Sequence, residues 1–118
     1  MKRTAKASSQ QDTDEMVAVF KALADPSRLS LVQLLAARAE AHGASDRCGA
    51  GPLCVNALVD RLQITQPAVS QHLRVLRSIG LVRGERRGPF VHYSVDLDKV
   101  ERALKTLRAL LGMTASAR

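Results

Sequence analysis

Apolar residues recur at helical spacing along most of the chain and predict five helices. The first is predicted to begin with Asp12 as its N-cap, because Glu15 follows at the capping-box position. Asp25 and Pro26 separate it from the second helix, since Asp caps a helix and Pro suits its first position. The second helix is predicted from Ser27 to about Ala41.

An irregular segment, residues 42–53, precedes a closely spaced pair of helices. The first of the pair is short, Val55–Leu62, with apolar positions three and four residues apart. A three-residue turn leads to a longer helix that has Thr65 as its expected N-cap and stops at Gly80. This arrangement predicts a helix-turn-helix.

Two short extended runs follow, Leu81–Arg86 and Phe90–Val95, and the residues between them include Gly and Pro. They predict a hairpin with a basic tip, and alternation along the second run assigns His92 to its polar face. A last helix is predicted to begin near Asp96 or Asp98. The whole order predicts a mainly α fold with a small β-hairpin wing, a winged helix-turn-helix of about five helices.

The length of the chain indicates its domain organisation, and its charge indicates the class of partner. The 118 residues suit one domain: a disordered basic arm at 1–11, a folded domain at 12–112 and a tail at 113–118. The net charge of +7 and the isoelectric point near 10.3 favour a polyanion such as nucleic acid. The start of the chain lacks the apolar segment of a signal peptide, so a cytoplasmic protein is expected.

The longer helix of the pair has the features of a recognition helix. Val69, Leu73 and Leu76 form an apolar seam, and short polar side chains and an arginine lie roughly opposite. Amide and guanidinium groups can read adenine and guanine, whereas the remaining arginines suit phosphates. The predicted DNA-binding residues are Thr65, Gln66, Ser70, Gln71, Arg74, Arg77, Arg86 and Arg87.

Two other classes of function fit less well. The sequence has no glycine-rich phosphate cradle and no clustered carboxylates, so we do not expect an enzyme. An RNA-binding winged helix is an alternative, but aromatic residues make up only 3% of the chain, and RNA bases commonly stack on aromatic side chains.

At this level of detail the chain resembles a known family. The segments ALADPSRLSLVQLL, LCVNALVDRLQITQPAVSQHLRVLRSIGLVRGERRG and VHYSV are similar to those of ArsR/SmtB winged-helix repressors, across roughly residues 16–111. The resemblance implies a homodimer, paired through its first and last helices, on a palindromic double-stranded DNA operator. It also implies that an inducer, often a metal or metalloid ion, releases the repressor from DNA.

The last helix carries an apolar stripe that is wider than one small core needs, and the first helix has a similar stripe. Both stripes therefore agree with the implied dimer. The alternative is that both pack only within their own domain. The predicted dimer-interface residues are Val17, Phe20, Val100, Leu104, Leu107 and Leu111.

The two cysteines, Cys48 and Cys54, are the candidate metal ligands. Ion-sensing relatives commonly carry a Cys-Val-Cys pair at the start of the short helix, and here Asn56 replaces the second cysteine. A second family site, in the last helix, needs histidine, and residues 96–118 contain none. Cys48 would then complete the pair, and two thiolates favour a soft metal or an arsenite-like metalloid ion as ligand.

Two alternatives to a metal site stay open for these cysteines. They could form a thiol redox or persulfide switch, because a thiolate is favoured beside a helix N-terminus. They could also have no direct role, with Cys54 a small buried apolar residue. His72, next to the apolar seam of the recognition helix, is expected to be structural.

Overall fold

The computed structural model describes residues 9–41 and 53–113. The predicted arm up to residue 8, the segment 42–52 with Cys48, and residues 114–118 lie outside the described residues. In order, the elements are α1 (Gln10–Leu23), α2 (Pro26–Ala41), β1 (Leu53–Cys54), α3 (Val55–Leu62), α4 (Gln66–Ser78), β2 (Val82–Arg87), β3 (Phe90–Val95) and α5 (Leu97–Leu110). None of the described helices is long and apolar enough to cross a membrane. The winged helix-turn-helix prediction is confirmed.

Helix α1 begins at Gln10, so the prediction of Asp12 as its N-cap is wrong. Ser9 is the N-cap: its hydroxyl accepts a hydrogen bond from the Asp12 backbone N–H at 3.1 Å. The Asp12 carboxylate in turn accepts from the Ser9 backbone N–H at 3.3 Å. The capping box therefore lies one turn earlier, because Ser9 and Asp12 already have the required spacing.

The other predicted helix ends agree with the structure. Asp25 caps α2 by accepting the Arg28 backbone N–H at 2.9 Å, and Thr65 caps α4 by accepting the Ala68 N–H at 3.2 Å. Gln63 adopts a left-handed conformation between α3 and α4, and Gly80 does so after α4. These caps and turns fix where α4 begins and how it leaves the tight turn.

One main apolar core holds α2, α3, α4 and the sheet together. Its most buried members are Leu31, Leu35, Leu58, Val69, Leu76 and Leu81. A second, smaller cluster lies between α1 and α5, around Met16, Val19 and Ala103. The predicted seam of α4 is confirmed, since Val69, Leu73 and Leu76 are all buried.

The wing is part of a three-stranded antiparallel sheet in the order β1-β3-β2. Strand β1, which the sequence pattern did not predict, pairs Cys54 with His92 of β3. His92 lies on the face opposite Tyr93, as the alternation predicts. That face is not open to solvent at this position, because β3 is the central strand and His92 is only 4% exposed. Two residues are too short a strand to show the alternation from which strands are predicted.

Candidate nucleic-acid interface

One side of α4 presents a largely polar surface to solvent. Gln66, Ser70, Gln71, Arg74 and Arg77 are all exposed, while the seam on the opposite side is buried in the core. Helical geometry makes these five side chains neighbours, because residues three and four apart share a face. The structure thus brings together the five α4 residues predicted to bind DNA.

Thr65 has a different place from the other predicted residues. Its hydroxyl accepts a hydrogen bond from the Ala68 backbone N–H and so completes the N-terminus of α4. The residue is exposed at the start of the helix. It sets where the polar surface begins, since the N-cap fixes the first turn of the helix.

The two wing arginines lie on opposite faces of the sheet. The register pairs Arg86 with Val91 and Gly84 with Tyr93, so Arg86 shares a face with Tyr93. Arg87 projects to the other face, where its guanidinium lies 3.7 Å from the Glu85 carboxylate. The pair of basic residues expected to act together is therefore divided by the alternation of the strand.

Tyr93 connects the wing to α4. Tyr93 is 8% exposed and belongs to the main core. The guanidinium carbon of Arg77 lies 5.9 Å from the centre of the Tyr93 ring. This contact places Arg77 of α4 against the face of the wing that also carries Arg86.

A second contact braces α4 from behind. The Arg28 guanidinium donates to the Ala22 carbonyl at 2.6 Å, and another of its nitrogens lies 3.4 Å from Nδ1 of His72. The Arg28 backbone N–H also lowers the pKa of the Asp25 carboxyl by donating a hydrogen bond to it. His72 is half-buried and part of this contact, which agrees with the structural role expected for it.

The residues predicted for a dimer interface fall into two groups. Val17, Leu104 and Leu111 are exposed. Phe20 and Leu107 pack against the cluster between α1 and α5, and Val100 packs against the main core. The apolar stripes thus serve partly within the domain and partly as open surface.

Cys54 is buried, 5% exposed, at the N-cap of α3 and beside His92 in the strand register. Within residues 9–41 and 53–113, no group of three or more His, Cys, Asp and Glu side chains could hold a metal ion. Cys48, the predicted partner of Cys54, lies outside the described residues. The described part of the chain therefore supplies one thiol of the predicted pair and does not by itself complete a metal site.

Sequence reasoning missed the roles of Arg28, Gly84 and Tyr93. Strand alternation predicts only which face of the sheet Tyr93 lies on, and nothing local indicates that it meets an arginine from α4. A glycine inside a predicted strand does signal a bulge or a close approach, and that signal at Gly84 was available.

These features agree with comparisons to known proteins. The sequence profile of the family described as "Bacterial regulatory protein, arsR family" matches residues 48–83, which include α3 and α4. An HTH-type transcriptional regulator of Methanocaldococcus jannaschii is 32% identical over 92 residues, which are 78% of this chain and 90% of that protein. The arsenical resistance operon repressor of Escherichia coli K12 is 38% identical over 77 residues, which are 65% of this chain and 56% of that protein.

The likeness extends to three dimensions. The crystal structure of the transcriptional regulator HlyU from Vibrio vulnificus CMCP6 matches with a TM-score of 0.60 and 30% identity, covering 86% of this chain and 92% of that structure. The chain therefore belongs to the ArsR family of bacterial regulatory proteins, and it is a DNA-binding transcriptional repressor of the ArsR/SmtB type, not an enzyme.

Proposed function

We propose that two copies of this chain bind a palindromic operator in the cytoplasm and leave it when an inducer reacts with the protein. The observation that carries this proposal is the largely polar surface of α4, exposed beside a basic wing. An α-helix fits the major groove of DNA, and two helices one helical turn apart match the two halves of a palindrome.

Specificity and affinity come from different residues of this surface. Ser70, Gln71 and Arg74 lie on the exposed side of α4 and can reach base edges. Arg77 lies where α4 meets the wing, and Arg86 lies on the wing itself. Both contact phosphates, which adds affinity that falls as the salt concentration rises. Thr65 positions the first turn of α4, from which the exposed Gln66 can also reach base edges.

The open apolar surface of α5 supports the homodimer. Leu97, Leu104 and Leu111 are 43%, 38% and 63% exposed and lie seven residues apart, so they form one stripe. On α1, which packs against α5, Val17 is also 43% exposed. Burying such a stripe against its copy stabilises the dimer and sets the distance between the two α4 helices.

For the inducer, we propose a soft metal or an arsenite-like metalloid ion that binds the thiols of Cys54 and Cys48. Cys54 immediately precedes α3, and α3 packs on α4, so a bond formed at this thiol acts on the helix-turn-helix itself. The similarity to an arsenical resistance operon repressor supports a metalloid. Two or three sulfurs suffice for such ions, which agrees with the small number of donors available.

A thiol switch is the second candidate for induction, in which an oxidant takes two electrons and two protons from the thiols and joins Cys54 to Cys48 in a disulfide, or a sulfane-sulfur donor converts one thiol to a persulfide. Cys54 lies at the N-cap of α3, so a new bond at its sulfur acts directly on the start of that helix. Both candidates require Cys54, and they differ in the reagent that releases DNA.

A gel-shift experiment tests the proposal. The full chain is mixed with duplexes selected from a random pool, with structured RNA as competitor, and then challenged with arsenite, cadmium, copper(I), zinc or an oxidant. We expect the duplex to outcompete RNA, and arsenite to release DNA from wild type but not from Cys54→Ser or Cys48→Ser. Release by oxidant alone would favour the thiol switch, and preference for RNA would reject the DNA-binding function.

A further inference from the structure

A groove of about 480 Å³ lies between the C-terminal half of α4 and the wing. It is lined by Ser70, Leu73, Arg74, Arg77, Ser78 and Tyr93. The Ser78 hydroxyl donates to the Val75 carbonyl at 2.7 Å, so it is already committed as a donor. The remaining polar lining consists of two guanidinium groups, the Ser70 hydroxyl and the phenol of Tyr93, all of which can donate hydrogen bonds.

The charge of this groove is not neutralised from within the domain. In the described part of the chain, neither Arg74 nor Arg77 forms an ion pair with a carboxylate. Glu85, the acidic residue of the wing, pairs with Arg87 on the opposite face of the sheet. An arginine without a carboxylate partner, beside a groove of hydrogen-bond donors, is suited to an anion such as phosphate. We assign this role to Arg77, since Ser70 and Arg74 are proposed above to read base edges.

The position of Arg77 depends on the Tyr93 ring. The 5.9 Å separation of the Arg77 guanidinium carbon from the ring centre is within cation–π range. Tyr93 is buried while Arg77 is exposed, so a fixed element of the core supports a side chain that otherwise would sample many rotamers. Tyr93 thus orders Arg77 at the edge of the groove.

Gly84 in turn provides the space for the ring. In the antiparallel register Gly84 faces Tyr93, and a Cβ on Gly84 would lie only 3.0 Å from Cε1 of the tyrosine. The same Cβ would lie 3.2 Å from Cγ1 of Val91. A side chain at this strand position therefore forces the ring to move, and Arg77 with it.

We propose that this groove binds a single phosphate of the DNA backbone, and that Tyr93 and Gly84 are the positioning residues that present Arg77 to it. This inference rests on the DNA-binding function proposed above. Arg77 belongs to α4, and Tyr93, which supports its guanidinium, belongs to β3. A phosphate bound here therefore fixes the wing relative to the recognition helix. The same chemistry would accept free inorganic phosphate, so the test separates the two sources.

The test measures DNA affinity by fluorescence anisotropy for a duplex selected by the wild-type chain, over a range of salt concentrations. Arg77→Met and Tyr93→Leu are each expected to reduce the slope of log affinity against log salt by about one, the contribution of one phosphate contact. The double variant is expected to have the same slope as either single variant. Tyr93→Phe, which keeps the ring, is expected to retain the wild-type slope. Circular dichroism verifies the fold of each variant, and Arg77→Met changes only an exposed side chain.

A scan with single methylphosphonates, which remove one charge at a time, identifies the phosphate. Neutralising one particular phosphate in each half-site should lower the DNA affinity of the wild-type chain about 10-fold. The same substitution should not further lower the affinity of Arg77→Met or Tyr93→Leu. If no position behaves in this way, the inference is wrong. Inorganic phosphate, added at constant ionic strength, separates the two sources. If it displaces DNA from wild type but not from Arg77→Met, and no methylphosphonate position has an effect, the groove binds free phosphate and the inference is also wrong. A wild-type chain that binds no duplex at all would instead reject the proposed function.

Discussion

Lys99 of α5 and Glu15 of α1 form an ion pair, with Nζ of the lysine 2.7 Å from Oε2 of the carboxylate. Arg102 adds a second contact to the same oxygen at 3.2 Å. Lys99 and Glu15 are both largely shielded, with side chains 18% and 29% exposed. The pair therefore joins the two helices that carry the proposed dimer surface, beside the small cluster that packs between them.

Glu15→Gln is expected to destabilise the fold in a pH-dependent way. Hydrogen bonds from Lys99 and then Arg102 lower the pKa of the Glu15 carboxyl below its ordinary value of 4.5. Since the folded-state pKa is the lower one, the stabilisation is complete above pH 4.5 and is lost as pH falls through the folded-state value.

We expect a decrease of about 1 kcal/mol in the free energy of unfolding at neutral pH. Urea titrations of both proteins at several pH values measure this difference. Asp14→Asn removes a nearby carboxylate that is exposed on α1 and makes a local bond to Gln10, so it serves as the control. A constant difference between wild type and Glu15→Gln down to pH 2 would contradict the role given to this carboxylate.

The helices were predictable because each is specified locally. The caps Asp25 and Thr65 and the stop at Gly80 are short-range signals, and the structure uses all three. The exception at Ser9 is instructive, since two overlapping capping boxes compete and only the structure shows which one forms.

Contacts between distant segments were not predictable in the same way. The burial of His92 follows from β1, a strand of two residues that pairs with β3 from nearly forty positions earlier in the chain. The approach of Arg77 to Tyr93 likewise depends on how α4 packs on the sheet. A single sequence specifies the polarity of each element, whereas these relationships depend on tertiary packing.

Arg86→Ala and Arg87→Ala are expected to differ, although the two residues are adjacent. Arg86 shares the face of Tyr93 and is directed toward the side of the wing that carries α4, whereas Arg87 lies on the other face near Glu85. Arg86→Ala should reduce the salt slope of DNA binding by about one and weaken all sequences alike.

Arg87→Ala should reduce the slope by less. Anisotropy titrations against selected and random duplexes at several salt concentrations give both values. Equal losses for the two variants would show that the faces of the wing do not distinguish its arginines.

Gln71→Ala is expected to relax the choice of operator with little effect on nonspecific binding. Gln71 is exposed on the recognition surface, and a bidentate bond from an amide to adenine contributes about 1–3 kcal/mol of discrimination. The ratio of affinities for selected and random duplexes should therefore fall by roughly 10-fold. Gln33→Ala, which removes an exposed glutamine from α2, is the matched control and should leave the ratio unchanged.

Leu104→Asp is expected to separate the dimer. Leu104 is 38% exposed at the centre of the α5 stripe, so the carboxylate is tolerated in a monomer but is buried without a partner in the dimer. Loss of the second half-site contact should weaken operator binding by about 100-fold. Ala109→Asp introduces the same group at an exposed position elsewhere on α5 and serves as the control.

Sedimentation velocity measures the oligomeric state of both variants, and anisotropy measures their affinity for the selected duplex. Leu104→Asp should sediment as a monomer that retains its helical content, while Ala109→Asp remains dimeric and binds as wild type does. A Leu104→Asp protein that stays dimeric would place the subunit interface away from this stripe. The two recognition helices would then be held at the spacing of the operator by a different surface of the domain.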